Sequence, residues 1–181
     1  GHCKDATTLT FDGERYANLV SASSGGAVSV SAVREIGEVT FNDVISEDCF
    51  CIEGNGGHFS LVSGSSNPAA AQSISATASA FVNEQIDDQS AGNGGAIYYF
   101  TPGNLASATF TDCNFSSLRT EQSGGAIYIE SSSMVEVSLL GAEFEWIYSD
   151  EGDGAVCLKA SNGNINSISL VPDTEEGVSF D

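Results

Sequence analysis

The side chains best suited to chemistry here are two histidines, five cysteines and 25 acidic residues. His58 stands beside a glycine pair, Gly56-Gly57, and a lone histidine in that setting reads as a surface residue at a chain corner. His2 has no recognisable partner set that would make it a metal ligand. Cys3, Cys49, Cys51, Cys113 and Cys157 lack the paired C-x-x-C spacing of a zinc site. They are disulfide candidates instead, in an oxidising compartment. Cys49 and Cys51 share a face of any strand, which would strain a bond between them, whereas Cys113 and Cys157 could be reached from neighbouring segments or chains. An odd count leaves one thiol free or available for an intermolecular bridge.

The acids cluster at Asp87-Asp88, Asp150-Glu151-Asp153 and Asp173-Glu175-Glu176. Several converging carboxylates would be needed to hold a hard cation such as Ca2+, and a dispersed excess makes a solvated face, so no other cofactor is indicated. With five Lys and Arg in total, the net charge of −20 repels phosphate backbones and anionic lipid, which excludes nucleic acid as a partner. No apolar run reaches 18 residues, so no direct membrane insertion is expected. Asn114-Phe115-Ser116 is the single glycosylation sequon, with Asn114 as candidate acceptor.

The elements that must carry these residues are set by a repeat. A Gly-Gly-Ala-aliphatic cassette occurs at Gly25-Gly26-Ala27-Val28, Gly94-Gly95-Ala96-Ile97 and Gly124-Gly125-Ala126-Ile127. Degenerate copies stand at Gly56-Gly57-His58-Phe59 and Asp153-Gly154-Ala155-Val156, giving a period near 30 residues. Phe11 and Tyr16, Phe110 and Phe115, and Leu139 and Phe144 precede their cassettes at matching offsets. The surplus of the longest interval, from Gly56 to Gly94, falls in loops around Ser63 to Ser73 and Ser90 to Asn93.

After each cassette the residues alternate, as a strand with one buried face requires. Val28/Val30, Phe59/Leu61, Ile97/Tyr99, Ile127/Ile129 and Val156/Leu158 should point inward, with Ser29, Ser60, Tyr98, Tyr128 and Cys157 outward. A second strand in each repeat points Leu9/Phe11, Val39/Phe41, Ile74/Ala76, Ala108/Phe110, Val137/Leu139 and Ile168/Leu170 inward. Its outward file is all hydroxyl: Thr10, Thr40, Ser75, Thr109, Ser138 and Ser169. Short period-2 segments bounded by Gly and Ser argue against helices. The expected fold is all-β: a right-handed, single-stranded parallel β-helix of about six coils, forming one domain over residues 1–181. The paired glycines at the corner supply the positive φ that a sharp turn needs.

These cassettes resemble the repeats of chlamydial polymorphic outer-membrane proteins and related β-helical surface adhesins over nearly the whole chain. The Phe-x-x-Asn motif of that family is absent, since Phe81 is followed by Val82-Asn83-Glu84. The resemblance implies a pectate-lyase-like β-helix displayed outside a cell, with attachment or structural roles and no catalytic residues to carry over.

The β-helix class also hosts polysaccharide lyases and hydrolases, which need converging carboxylates or a cation beside a basic residue. Here Arg15, Arg34, Arg119 and Lys159 fall in different coil contexts and no acidic file recurs beside them. The expected function is therefore a non-catalytic, extracellular structural or adhesive module, with a polysaccharide-active enzyme as the alternative. A second alternative is an ice- or glycan-binding plane along the hydroxyl file, which one hydroxyl per coil would make narrow. Expected partners are other protein subunits or surface glycans. A terminal cap over Val171 to Asp181, or end-to-end or lateral assembly, would satisfy the unpaired strands at the end of such a stack.

Overall fold

A computed structural model describes residues 2–3, 6–64, 72–84, 89–90 and 92–171. The acidic clusters at Asp87-Asp88 and Asp173-Glu175-Glu176, the cap after Val171, and the side chains of His2 and Cys3 lie outside the described residues. The described chain is all β, and its parallel strands stack into a solenoid of about five turns.

Three stacked sheets form the walls. The first, here the cassette sheet, runs through His2–Cys3, Val28–Ala32, Phe59–Val62, Ile97–Phe100, Ile127–Ser131 and Val156–Ala160. The second, the hydroxyl sheet, runs through Ala6–Asp12, Ile36–Asn42, Gln72–Thr77, Asn104–Thr111, Ser133–Leu140 and Ile165–Val171. The third, the aromatic sheet, holds Arg15–Ala17, Ile45–Glu47, Ala80–Val82, Asn114–Thr120 and Glu143–Ser149, joined at one side by Gln89–Ser90. A coil therefore passes through the hydroxyl strand, the aromatic strand and the cassette strand in that order, and the next hydroxyl strand begins the next coil.

The inward rows follow the period-2 pattern. Phe59, Ile97 and Ile127 lie in register on the cassette sheet, as do Leu61, Tyr99 and Ile129, and all six are buried. On the aromatic sheet Phe81, Phe115 and Phe144 stack with centroids 5.1 and 5.0 Å apart and planes within 11°. Phe11 and Phe41 stack in the same way on the hydroxyl sheet at 4.9 Å. Parallel register stacks like residues directly over one another, so the rings of successive coils meet face to face.

Each wall meets the next at a residue in the left-handed region. Gly13, Asp43, Ala78, Asp112 and Gly141 all have φ between 49° and 68° where the hydroxyl strand gives way to the aromatic strand. Asn18 and Asp48 take φ of 55° and 49° just after the short aromatic strands of the first two coils, and Ser117 and Trp146 take 54° and 55° midway along the longer strands of the fourth and fifth. Gly25, Gly56, Gly94 and Gly124 take φ of 68–72° at the cassette. The second cassette glycine has a different purpose: a Cβ on Gly95 would lie 2.0 Å from the Gly125 carbonyl oxygen, and one on Gly26 2.3 Å from the Gly57 oxygen. One glycine turns the chain, and its neighbour lets the coils approach.

The expectation that His58 lies on the surface is corrected. Ala96 and Ala126, at the same corner position, are fully buried. The positive φ of the first glycine breaks the strand alternation, so Ala96 and the following Ile97 both face the core. His58 occupies the same position, its amide bonding the Ala96 carbonyl and its carbonyl accepting from Ala27, and it too is fully buried.

Candidate functional site

The burial of His58 demands partners, because an imidazole stripped of water costs several kcal/mol if its nitrogens are left unpaired. Its Nδ1 lies 2.8 Å from the Ser46 hydroxyl and its Nε2 3.1 Å from Asn83 Oδ1. Asn83 Oδ1 also accepts from the Cys49 amide at 3.2 Å, which fixes that atom as the oxygen. His58 Nε2 must then carry the proton, and Nδ1 accepts from Ser46. Burial pushes the His58 pKa down to about 4, against the pull of the Asn83 bond.

Room for the imidazole comes from the aromatic sheet. Ser46 stands in register with Tyr16 on one side and Phe81 on the other, at a position that is aromatic in every other coil. The second coil therefore exchanges a ring on the aromatic wall for a ring at the cassette corner. Sequence reasoning misplaced His58 on the surface, although a signal existed: the coil with His in place of Ala is the one without its aromatic landmark.

The four cysteines with described side chains form no disulfide with one another. The thiols of Cys49, Cys51, Cys113 and Cys157 donate respectively to the Glu47, Gly54 and Thr111 carbonyls and to the Asp153 carboxylate. Burial raises the Cys49 thiol pKa and pushes that of Cys113 up to about 11. Burial and the Asp153 charge push Cys157 to about 11 as well. All three stay protonated at neutral pH, the weakly nucleophilic form.

Asn114 and Ser116 are half-buried on the outer side of the aromatic sheet, with Phe115 between them turned into the core. Asn114 borders a shallow depression with Asp112, Cys113, Gly141 and Glu143. Asp150 forms a two-pronged bond with Arg119 at 3.0 and 3.1 Å, and Asp153 accepts from Ser123 at 2.6 Å, so these acids serve links between coils. Among the described residues no group of three or more His, Cys, Asp or Glu converges to hold a metal ion. Outside the cassette sheet Tyr98 and Tyr128 stack, and Tyr128 donates to Glu130 at 2.9 Å. Burial opposes ionisation of Glu130, but hydrogen bonds from Tyr128, Ser161 and Lys159 and the Lys159 charge bring its carboxyl below the ordinary value.

The hydroxyl file has the expected register, Thr10, Thr40, Ser75, Thr109, Ser138 and Ser169 each beside the next. It is not narrow. Thr8, Ser73, Ser107 and Ser167 flank it on one side with Glu38 and Glu136, and Thr77 and Thr111 on the other with Asp12, Asn42, Leu140 and Val171. Ser73 and Ser107, two residues before Ser75 and Thr109, also lie side by side and complete a two-by-three block of hydroxyls with Ser75, Thr77, Thr109 and Thr111.

At the carboxyl-terminal end the inward row becomes surface. Ile168 and Leu170 are in register with Val137 and Leu139, which are 1% and 3% exposed, yet are themselves 56% and 52% exposed. Trp146 on the fifth coil is also 56% exposed. No protein-family model, curated protein or solved structure matches the chain.

Proposed function

We propose that this protein is a non-catalytic structural module of an extracellular surface assembly, joined through the ends of its solenoid. The observation that carries this reading is the exposure of Ile168 and Leu170, core-row residues beside which no further strand lies among the described residues. Apolar surface of this kind, beside an unpaired strand edge, is what a further strand covers. The occupant that fits is the first coil of a second copy, whose strand Ala6–Asp12 carries Leu9 and Phe11 in the same inward row. Head-to-tail stacking would set Ile168 against Leu9 and Leu170 against Phe11, continuing the spacing already repeated along the sheet.

A structural role is supported further by where the reactive groups are. Cys49, Cys113 and His58 are sealed in the core with protonation states that suit packing, and Asp150 and Asp153 bond to the coil before them. Extracellular placement, an attached glycan at Asn114 and adhesion to other subunits or surface glycans belong to the same reading.

Light scattering and negative-stain imaging over a concentration series test it. End-to-end rods are expected for the native chain, and single solenoids for Ile168→Asp/Leu170→Asp with unchanged circular dichroism. A native chain that stays monomeric at millimolar concentration, or rods that survive the double substitution, overturns the stacking. Release of unsaturated products from polygalacturonate would overturn the non-catalytic assignment.

A further inference from the structure

The three walls were built under the same backbone constraints, so their outer faces serve as controls for one another. Any strand favours Thr and other β-branched residues on a solvated face. If that preference alone filled the hydroxyl sheet, the other two walls would look alike. They do not. On the cassette sheet the outward files read Ser29, Ser60, Tyr98, Tyr128, Cys157 and Ser31, Val62, Phe100, Glu130, Lys159. On the aromatic sheet they read Arg15, Ile45, Ala80, Asn114, Glu143 and Ala17, Glu47, Val82, Ser116, Glu145. Aromatic, aliphatic, acidic and basic groups mix there, whereas the hydroxyl sheet places Ser or Thr at 12 of its 18 registered outward positions.

The geometry of that face is a lattice. Strands of neighbouring coils lie ~4.8 Å apart and alternate residues along a strand ~6.7 Å apart, so the hydroxyls repeat in two directions at fixed spacings. Short side chains on a continuous parallel ladder lose little freedom when they bind. Among the described residues, Ser75 is the one member of the central file whose hydroxyl bonds within the protein, through a long 3.5 Å contact to the Val39 carbonyl. Thr10, Thr40, Thr109 and Ser169 are exposed or half-buried, whereas Ser138 is buried.

Charge and shape then select the occupant. In a chain of net charge −20, the 18 positions hold three acids, Asp12, Glu38 and Glu136, and no Lys or Arg. Those acids lie in the flanking files, and the central file and the six-hydroxyl block carry no charge, which suits an uncharged partner. It also carries no aromatic ring, the platform on which the apolar face of a sugar would stack; Tyr98, Tyr128 and Trp146 all lie elsewhere. A partner that needs only a repeating array of small donors and acceptors, with methyl groups between them, is water in a lattice. We infer that the hydroxyl sheet is an ice-binding face, an activity that does not depend on end-to-end stacking.

Thermal hysteresis and inhibition of ice recrystallisation by the purified chain, with microcrystalline cellulose and chitin pull-downs in parallel, test this. Activity on ice is expected for the native protein, at least a tenfold loss for Thr109→Lys and for Ser75→Tyr, and none for Ser29→Tyr on the cassette sheet. Circular dichroism and melting temperature identify any variant that has lost its fold, and the two hydroxyl-sheet variants serve as checks on each other. Absence of ice activity in the native chain overturns the inference. So does equal loss in Ser29→Tyr, and so does retention on cellulose or chitin without any effect on ice, which would assign the face to a glycan.

Discussion

The second coil and the coils that follow it solve the same packing problem with different chemistry. In the third to fifth coils the aromatic wall is a file of stacked rings, Phe81, Phe115 and Phe144, and the cassette corner is filled by alanine or left small. In the second coil the ring has moved to the corner as His58, and the wall carries Ser46. The ring is retained at a new place while an apolar contact becomes a hydrogen-bonded knot of Ser46, His58, Asn83 and the Cys49 amide. A solenoid thus tolerates a polar interior when one coil supplies both the space and the partners, because each coil needs to match only its neighbours. The difference also makes one part of the core sensitive to pH and leaves the rest indifferent.

The aromatic file should hold the larger share of stability. Phe115→Ala, which removes the middle ring of the stack, is expected to cost about 4 kcal/mol in urea denaturation. A loss below about 1 kcal/mol would mean that the stacked file is no more important than the polar knot.

The knot should show itself through acid. His58 has a folded pKa near 4 against an unfolded value of 6.5, so the unfolded chain takes up a proton first as the pH falls. Its contribution is intact above pH 6.5 and is lost between there and pH 4, to a total of about 3 kcal/mol. Urea midpoints across that range should fall more steeply in the native chain than in His58→Gln. Parallel curves would show that the histidine is not sealed from solvent.

Exchange of the two solutions is the next test. Ser46→Phe alone crowds His58 and should destabilise by about 2 kcal/mol, whereas adding His58→Ala should recover more than half of that. Additive losses would show that the two positions do not share space. The smallest effect is expected at the left-handed corner, where the second coil has Asp48 and the fifth has Trp146. Trp146→Asn should raise stability by about 1 kcal/mol by placing a residue that tolerates φ of 55° there.

Much of this architecture was legible from residue spacing. Period-2 alternation located the rows from Val28 to Leu158, and the hydroxyl file from Thr10 to Ser169 has the register that the cassettes imply. The reading failed where alternation itself is interrupted. A glycine at positive φ turns two successive residues to the same side, so His58 went to the core instead of the surface, as Ala96 does at the same corner position. The flanking hydroxyls, two positions to either side of the central file, were missed because the reading stopped at one outward position per strand. Cysteine number suggested bridges, but pairing depends on distances between coils, and the structure gives Cys49, Cys51, Cys113 and Cys157 separate acceptors.

The parallel register has a mechanical consequence. Every strand is bonded only to the coil before and the coil after it, so tension applied to the two ends of the chain loads the outermost coil while the inner ones are shielded. Such a body should yield coil by coil from its ends. Each event would release one repeat of about 30 residues, roughly 100 Å of extended chain, as a regular sawtooth of force against extension. The rupture that frees the second coil should be the one whose height depends on pH.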